Sequence, residues 1–176
     1  MDTLEAIFTR RSIRAFQDSP VGAAALETLL KAAMYAPSAQ NEQPWRFVVI
    51  TDRTLFARIM RVHPYAGMLK SAPLAILVCG DTRLEKDPGN WVIDCSCATQ
   101  NILLAAHALG LGSVWSGIYP AEDRMRAFSE MLQLPEWVLP LAMVAVGCPD
   151  GPVPPSPARF RPDRVSINDG HTPYGG

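Results

Sequence analysis

The sequence predicts an α+β fold, a sandwich in which helices cover one central sheet. Segments with apolar residues at helical spacing are interspersed with short apolar runs that are typical of strands. Two helical segments precede the first strand, so the order does not form clean β-α-β units. With 176 residues, 48% of them hydrophobic and 19% charged, we expect one globular domain over residues 1–176, with a proline-rich C-terminal arm from about residue 148.

The first half of the chain alternates between helical and strand-like patterns. Helices are expected over residues 3–10, 22–35 and 53–62, with a short helical piece near residue 68, and strands over residues 46–51 and 74–79. Leu4, Ile7 and Phe8 form one side of the first helix, and Pro37 ends the second. Residues 74–79 are continuously apolar, which indicates a strand that is buried on both faces.

The second half contains the longest helix and the arm. Helices are expected over residues 91–109 and 122–132, and strands over residues 113–118 and 141–147. The long helix is apolar nearly all round and must be covered nearly all round. A second subunit would cover it economically, and the alternative is a central helix that its own chain covers completely. The arm, CPDGPVPPSP, is a segment that can cross to a partner subunit.

Composition excludes several classes of function. Sixteen basic and seventeen acidic residues leave a net charge of −1, so no general attraction to nucleic acid or anionic membrane is indicated. The apolar stretch over residues 102–111 is too short for a bilayer, which needs about 20 residues. The N-terminus shows no signal-peptide pattern, so we expect a cytoplasmic protein. No phosphate-binding lysine loop, GxSxG elbow or metal-binding histidine spacing is present, so a cofactor is expected to carry any reaction.

The four cysteines are predicted to be buried structural thiols rather than a metal site. Cys79 and Cys148 lie in strand-like runs, and Cys95 and Cys97 lie in the long helix. Residues two positions apart on a helix point to different faces. Cys95 and Cys97 are therefore a poor disulfide or chelating pair.

Two groups of arginines are candidates for binding an anion. Arg10, Arg11 and Arg14 surround Ser12 just after the first helix, and Arg159, Arg161 and Arg164 follow the proline-rich arm. Guanidinium groups bind phosphate through paired, charge-assisted hydrogen bonds, and Ser12 offers a hydroxyl donor. The alternative is a solvated basic turn and tail paired with Asp18 and Asp163, which the spacing alone favours.

The polar loop over residues 37–45 is a second candidate site. Asn41 and Gln43 carry amides that both donate and accept, as a planar heterocycle with carbonyl and ring-nitrogen edges requires. An ordinary turn that caps a helix is the alternative, and the loop taken alone favours it.

The segment GLGSVWSG, residues 110–117, begins like a dinucleotide-binding fingerprint. Trp115 stands where the third glycine belongs, and the segment follows a helix rather than a strand. We therefore exclude Rossmann-type binding. The glycines are expected to end the long helix and to bring the bare backbone of Ser116 and Gly117 close to a flat ligand.

Four stretches together resemble the nitroreductase family of FMN enzymes. They are RRSIRAF, APSAQNEQPWRFVVI, SAPLAILVCGD and ATQNILLAAHALGLGSVWSGIYP, and the similarity covers about residues 2–167. The resemblance implies a three-layer α+β sandwich with a central mixed or antiparallel sheet, an intertwined homodimer and FMN at the subunit interface. It also implies hydride transfer from NADH or NADPH to FMN, and then reduction of a nitroaromatic, quinone, flavin or activated alkene.

The resemblance assigns the flavin-binding residues individually. They are Arg10, Arg11, Ser12, Arg14, Pro37, Ser38, Ala39, Asn41, Gln43, Ser116, Gly117, Arg159 and Arg161. Arg10 and Ser12 belong to the phosphate and the ribityl chain, and Arg159 and Arg161 to the phosphate. Arg14 belongs to the pyrimidine edge, where positive charge stabilises reduced flavin. The five loop residues approach the flavin largely from the other subunit. Ser116 and Gly117 lie near the hydride-accepting nitrogen.

The sequence departs from the family pattern in two places. Lys70 does not align with the lysine that larger members carry near the ring, and the ending NDGHTPYGG lacks the tryptophan found in many relatives. Two alternatives to the reductase function stay open. One is another flavin chemistry of the family, such as reductive dehalogenation or flavin cleavage, and the other is a protein that stores or senses FMN.

Overall fold

Residues 1–174 are described by the computed structural model, in which helices cover both faces of a four-stranded sheet. The last two residues of the predicted domain lie outside this range. The elements are α1 (Thr3–Thr9), α2 (Ala23–Met34), β1 (Trp45–Ile50), α3 (Arg53–Val62), β2 (Leu74–Asp81), α4 (Asn90–Ala108), β3 (Gly112–Gly117), α5 (Glu122–Leu132) and β4 (Val138–Gly147). Short 3-10 turns occur at Ala39–Asn41, Gly67–Lys70, Thr82–Leu84 and Pro162–Arg164.

The sheet has the strand order β1-β2-β4-β3, and all neighbouring strands pair antiparallel. Side chains of a strand alternate between its two faces, so the central strands contribute to two cores. Leu77 of β2 joins a cluster with Phe56 of α3 and Phe128 of α5. Ile76, its neighbour, joins a second cluster with Ile102 of α4 and Leu29 of α2. The predicted α+β sandwich of three layers is confirmed.

Every helix and strand expected from the sequence is present, and the largest difference lies at the start of β4. This strand begins at Val138, whereas the sequence predicted residues 141–147. The sequence pattern did not indicate residues 138–140 as part of the strand, because Pro140 has no N–H to donate to a neighbouring strand. The sheet accommodates it through a register shift opposite Val78 and Cys79.

α4 is only partly covered by its own chain. One side, which includes Cys95, Ala98 and Ile102, is fully buried against α2 and the sheet. Ile93, on the other side, is 63% exposed and lines an open groove together with Pro37. The alternative in which a single chain covers the whole helix is therefore wrong. Within residues 1–174, neither α4 nor any other helix has the length and apolar character needed to cross a bilayer.

α1 and the C-terminal arm also expose apolar surface. Leu4, Ile7 and Phe8 form the expected stripe of α1, but the stripe is exposed and Ala6 is the buried residue of this helix. The arm is exposed throughout residues 150–174. It is attached to α1 by the Ser156 hydroxyl, which donates to the Phe8 carbonyl oxygen at 2.5 Å.

The prediction of four buried thiols is correct for two of them. Cys79 and Cys95 are buried, whereas Cys97 and Cys148 are half-buried, and all four are free thiols. Cys97 lines the open groove on the uncovered side of α4, and Cys148 follows the end of β4. The Cys95 thiol donates to the Cys79 carbonyl oxygen at 3.3 Å. Burial raises the pKa of the Cys79 thiol to about 12, so this group is an unreactive part of the core.

Candidate active site

A cavity of about 600 Å³ lies beside β3, between the turn at Gly67–Lys70 and α5. Cavities of this size hold small-molecule ligands in many proteins. The lining residues that bear on function are Arg14, His63, Tyr65, Ser116, Gly117 and Arg124. The structure therefore brings together three residues that the sequence had assigned to one site, Arg14, Ser116 and Gly117.

The backbone of Gly117 faces the cavity because β3 has no strand on its outer edge. Successive residues of a strand present their backbone groups to alternate edges. The Ser113 carbonyl accepts from the Ile13 amide on the outer side, and the Ile118 amide donates to Leu141 of β4 on the inner side. Gly117 lies four residues after Ser113, so its backbone groups point to the same edge, and its N–H and C=O both face outwards. A ligand in the cavity meets this bare backbone directly.

Two side chains hold the Gly117 carbonyl oxygen. The Arg124 Nη1 donates to it at 2.7 Å, and the His63 Nε2 lies 3.0 Å from it. The Tyr65 amide donates to the His63 Nδ1 at 3.2 Å, so the ring proton must reside on Nε2, which donates to Gly117. Glycine is the most flexible residue, and these two donors fix its orientation. Burial, and secondly the Arg124 charge, lower the pKa of His63, which keeps the ring neutral.

The arginine turn reaches the cavity by running along the outer edge of β3. Ser12 pairs with Ser113 in a short parallel bridge. Gly112 permits this approach, because a Cβ at that position would lie 2.7 Å from Cγ2 of Ile13. The glycine-rich segment thus has a role beyond ending α4, where Gly110 adopts the left-handed φ of 75°. It places Arg14 beside Gly117.

Replacing Gly112 with alanine is expected to lower the free energy of unfolding by about 1–3 kcal/mol, the usual range for overpacking a tight contact. Ile13 must move, and the arginine turn moves with it, so the affinity for any ligand of Arg14 should fall as well. Denaturant unfolding and ligand titration measure the two effects. Gly170→Ala is the matched control, because a Cβ there meets nothing within 4 Å. An unfolding free energy equal to that of the control would contradict the argument.

Positive charge converges at the start of the arginine turn. Burial, and then the charges of Arg159 and Arg11, lower the pKa of the half-buried Arg10. Arg10 in turn contributes to the lowered pKa of His107, whose Nε2 lies 2.8 Å from the Thr9 hydroxyl. Within residues 1–174, no ion pair joins the arginines of the turn to a carboxylate. The effect of the Arg159 charge on Arg10 shows that guanidiniums from the two ends of the chain repel each other.

Arg161 does not share this arrangement. It forms an ion pair with Asp163 at 3.0 Å, and both side chains are more than half exposed. The alternative of a solvated, acid-paired arginine, which the sequence left open, thus applies to Arg161. Burial and, after it, the charge of Arg159, two positions before Arg161, lower the pKa of Arg10.

The loop after α2 has an unusual backbone. Gln40, Asn41 and Gln43 have φ values of 48°, 57° and 51°. A left-handed conformation costs a non-glycine residue about 1–2 kcal/mol, so other bonds must hold the loop. The Ser38 hydroxyl accepts from the Gln43 amide at 3.0 Å, and the Ala39 amide donates to Oδ1 of Asp94 at 3.0 Å.

One chain does not bring this loop into the cavity. None of the loop residues Pro37, Ser38, Ala39, Asn41 and Gln43 lines it, and Pro37 instead lines the groove over α4. The sequence had assigned the loop and the cavity to one flavin site, with the loop contributed largely by the other subunit. The positions in a single chain are compatible with that arrangement.

Sequence reasoning missed three residues that line the cavity, namely His63, Tyr65 and Arg124. His63 and Tyr65 belong to a turn whose composition resembles any surface turn. Arg124 lies on a helix with a mixture of charges, so no pattern distinguishes it from its neighbour Arg126. Their common feature is contact with Gly117 or its surroundings, which only the folded chain shows.

The comparisons with known proteins agree with this geometry. The sequence profile described as "Nitroreductase family" matches residues 7–62 and 60–148, which is most of the chain. The chain belongs to the nitroreductase family. A family member from Methanothermobacter thermautotrophicus, "Putative NADH dehydrogenase/NAD(P)H nitroreductase", is 50% identical over 167 residues, which cover 95% of this chain and 87% of the relative.

Solved structures of nitroreductase-family proteins share the fold. A protein from Parabacteroides distasonis, "Putative NADH dehydrogenase/NAD(P)H nitroreductase", has a TM-score of 0.91 and 38% identity, with 95% of this chain and 98% of that chain covered. A nitroreductase from Desulfovibrio desulfuricans, solved in complex with FMN, has a TM-score of 0.78 and 34% identity, with 92% of both chains covered. The family assignment made from the sequence motifs is confirmed.

Proposed function

We propose that this protein is an FMN-dependent NAD(P)H oxidoreductase that reduces small activated acceptors such as nitroaromatics and quinones. The observation that carries the proposal is the cavity at the outer edge of β3. It combines an outward-facing amide of Gly117 with the guanidinium of Arg14. Relatives named NAD(P)H nitroreductase and FMN reductase support it.

The residues present fit FMN at each of its parts. The Arg159 charge acts on Arg10, and within residues 1–174 neither side chain forms an ion pair with a carboxylate, so both can bind a phosphate dianion. The Gly117 amide is a donor suited to a ring nitrogen, and Arg14 supplies positive charge at the same cavity. When bound, FMN would accept a hydride from NADH or NADPH and pass two electrons to the acceptor. The protein's own part is to bind and orient both molecules.

We further propose that the site is completed in a homodimer, with residues 1–176 as one domain of each subunit. The exposed side of α4 around Ile93, the stripe of α1 and the exposed arm are surfaces that a second subunit can cover. The loop at residues 37–43 borders the α4 groove and would reach the partner's cavity. The constraint on its backbone suits a loop that must present amide groups in fixed positions.

The test is the colour of the purified protein and its response to nicotinamides. We expect yellow protein with bound FMN, which NADH or NADPH bleaches under anaerobic conditions. Protein that is colourless and does not take up added FMN would refute the cofactor. Stable yellow protein that neither nucleotide bleaches would instead support storage or sensing of FMN. Size-exclusion chromatography with light scattering should give twice the mass of the chain.

A further inference from the structure

Arg124 has more binding capacity than its role at Gly117 uses. It lies in the first turn of α5 and lines the cavity. Its guanidinium carries five N–H donors, and the hydrogen bond to the Gly117 carbonyl employs Nη1. That bond also fixes the guanidinium next to the backbone that would face the reacting part of the flavin. A molecule that lies against the flavin in this cavity comes within reach of Arg124.

The cavity is positively charged. Arg14 and Arg124 are its charged lining residues, and His63 is held neutral. Among residues 1–174, no aspartate or glutamate lines it. The nearest acids in sequence, Glu122 and Asp123, are exposed, and Asp123 is paired with Arg126. Arg14 is assigned to the flavin under the proposed function. Arg124 is then the charged side chain of the cavity that is left to bind the second substrate.

The remaining surface of the cavity favours flat molecules. Tyr65 is 74% exposed and Tyr119 is 42% exposed at its opening, so both rings offer faces for stacking. Aromatic surface beside a guanidinium is suited to a planar ring that bears an anionic group, because the ring stacks and the anion forms a charge-assisted hydrogen bond.

We propose that Arg124 selects the acceptor by binding a carboxylate, so that the protein prefers flat, carboxylate-bearing acceptors to neutral ones of the same shape. This inference rests on the proposed function, since it concerns the second substrate of the same site. Arg124 acts here as a specificity-determining residue that touches the substrate. The hydride donor and the flavin chemistry are unchanged by it.

The experiment compares 4-nitrobenzoate with 4-nitrobenzamide, which differ in charge and hardly in shape. The ratio of kcat/KM for the acid over the amide is measured for the wild type, Arg124→Gln and Arg124→Lys. Glutamine keeps a donor for Gly117 but removes the charge, and lysine keeps the charge. A charge-assisted hydrogen bond contributes about 1.5–3 kcal/mol, so the ratio should fall about tenfold or more in Arg124→Gln. It should largely persist in Arg124→Lys.

Arg126→Gln is the matched control. This residue is on the same helix and is exposed, and it does not line the cavity. Its ratio should equal that of the wild type. Because both acceptors are affected alike by any disturbance of Gly117, the ratio separates the charge effect from a general loss of activity.

A binding measurement without turnover completes the test. Benzoate should perturb the spectrum of the oxidised holoprotein at lower concentration than benzamide, and Arg124→Gln should abolish the difference. Equal ratios in the wild type and Arg124→Gln would overturn the inference. So would a change confined to the KM of NADH or NADPH, which would assign Arg124 to the phosphates of the donor. Failure of both nucleotides to bleach the wild type would instead refute the proposed function.

Discussion

Replacing Arg10 and Arg159 together with alanine is expected to weaken FMN binding by at least about a hundredfold, since each charge-assisted hydrogen bond contributes about 1.5–3 kcal/mol. The two residues come from opposite ends of the chain, and the Arg159 charge lowers the pKa of Arg10. This repulsion is relieved when a dianion binds between them. Titration of the apoprotein with FMN, followed by flavin fluorescence, measures the change.

The control for this prediction is the double variant Arg58→Ala and Arg61→Ala. It removes the same number of charges from exposed positions on α3, away from the cavity at β3. Its affinity for FMN should remain within about twofold of the wild type, because exposed charges that lie beyond a Debye length of about 8–10 Å are screened. An unchanged affinity in the Arg10 and Arg159 variant would remove these residues from the site. Raising the salt concentration should weaken binding to the wild type more than to that variant.

The fold was largely predictable because its signals are local. The continuous apolar run of β2 predicts a strand, and the spacing of apolar and polar residues in α3 predicts a helix, without reference to the rest of the chain. Strand order could not be obtained in the same way. β2 pairs with β4, and β3 lies at the edge, because of packing between segments that are far apart in the sequence.

The candidate site was predictable only where its residues stand in motifs. The turn from Arg10 to Arg14 and the loop from Pro37 to Gln43 are recognisable through their resemblance to the nitroreductase family, whereas the spacing and composition of each, taken alone, favour an ordinary surface turn. Arg159 and Arg161 stand in the same arginine-rich segment, but Arg161 pairs with Asp163. Spacing alone could not show which of the two arginines is paired. His63 and Arg124 act on one carbonyl oxygen from two different elements, and no pattern within either element marks that convergence.

Replacing His63 with leucine is expected to slow the bleaching of bound FMN by NADH or NADPH about a hundredfold, because a misplacement of about 1 Å in a reacting geometry costs that much. Leucine fills the buried space but donates no hydrogen bond, so the Gly117 carbonyl keeps only Arg124. His63→Gln should stay within about fivefold of the wild type, since its amide can donate to the same oxygen. Stopped-flow absorbance measures the rate. Equal rates for the two variants would show that His63 does not position Gly117.

The same histidine predicts how the protein responds to acid. The pKa of His63 lies below its usual 6.5 because of burial and the Arg124 charge, with Tyr65, Phe128 and Gly117 as its other neighbours. Below pH 6.5 the unfolded chain therefore binds a proton that the folded chain resists. The free energy of unfolding falls as the pH drops from 6.5 towards the lowered pKa. Protonation of Nδ1 removes the acceptor of the Tyr65 amide, whereas Nε2 still donates to the Gly117 carbonyl oxygen.

His63→Gln cannot titrate, so its unfolding free energy should decline less between pH 6.5 and 5 than that of the wild type. The pKa of His107 is also lowered, and its contribution remains in both proteins, which makes the difference between them specific for His63. Urea unfolding at a series of pH values provides the comparison. Parallel stability curves for the two proteins would mean that the pKa of His63 is the same in the folded and the unfolded chain, which would contradict the lowered pKa that burial and Arg124 impose.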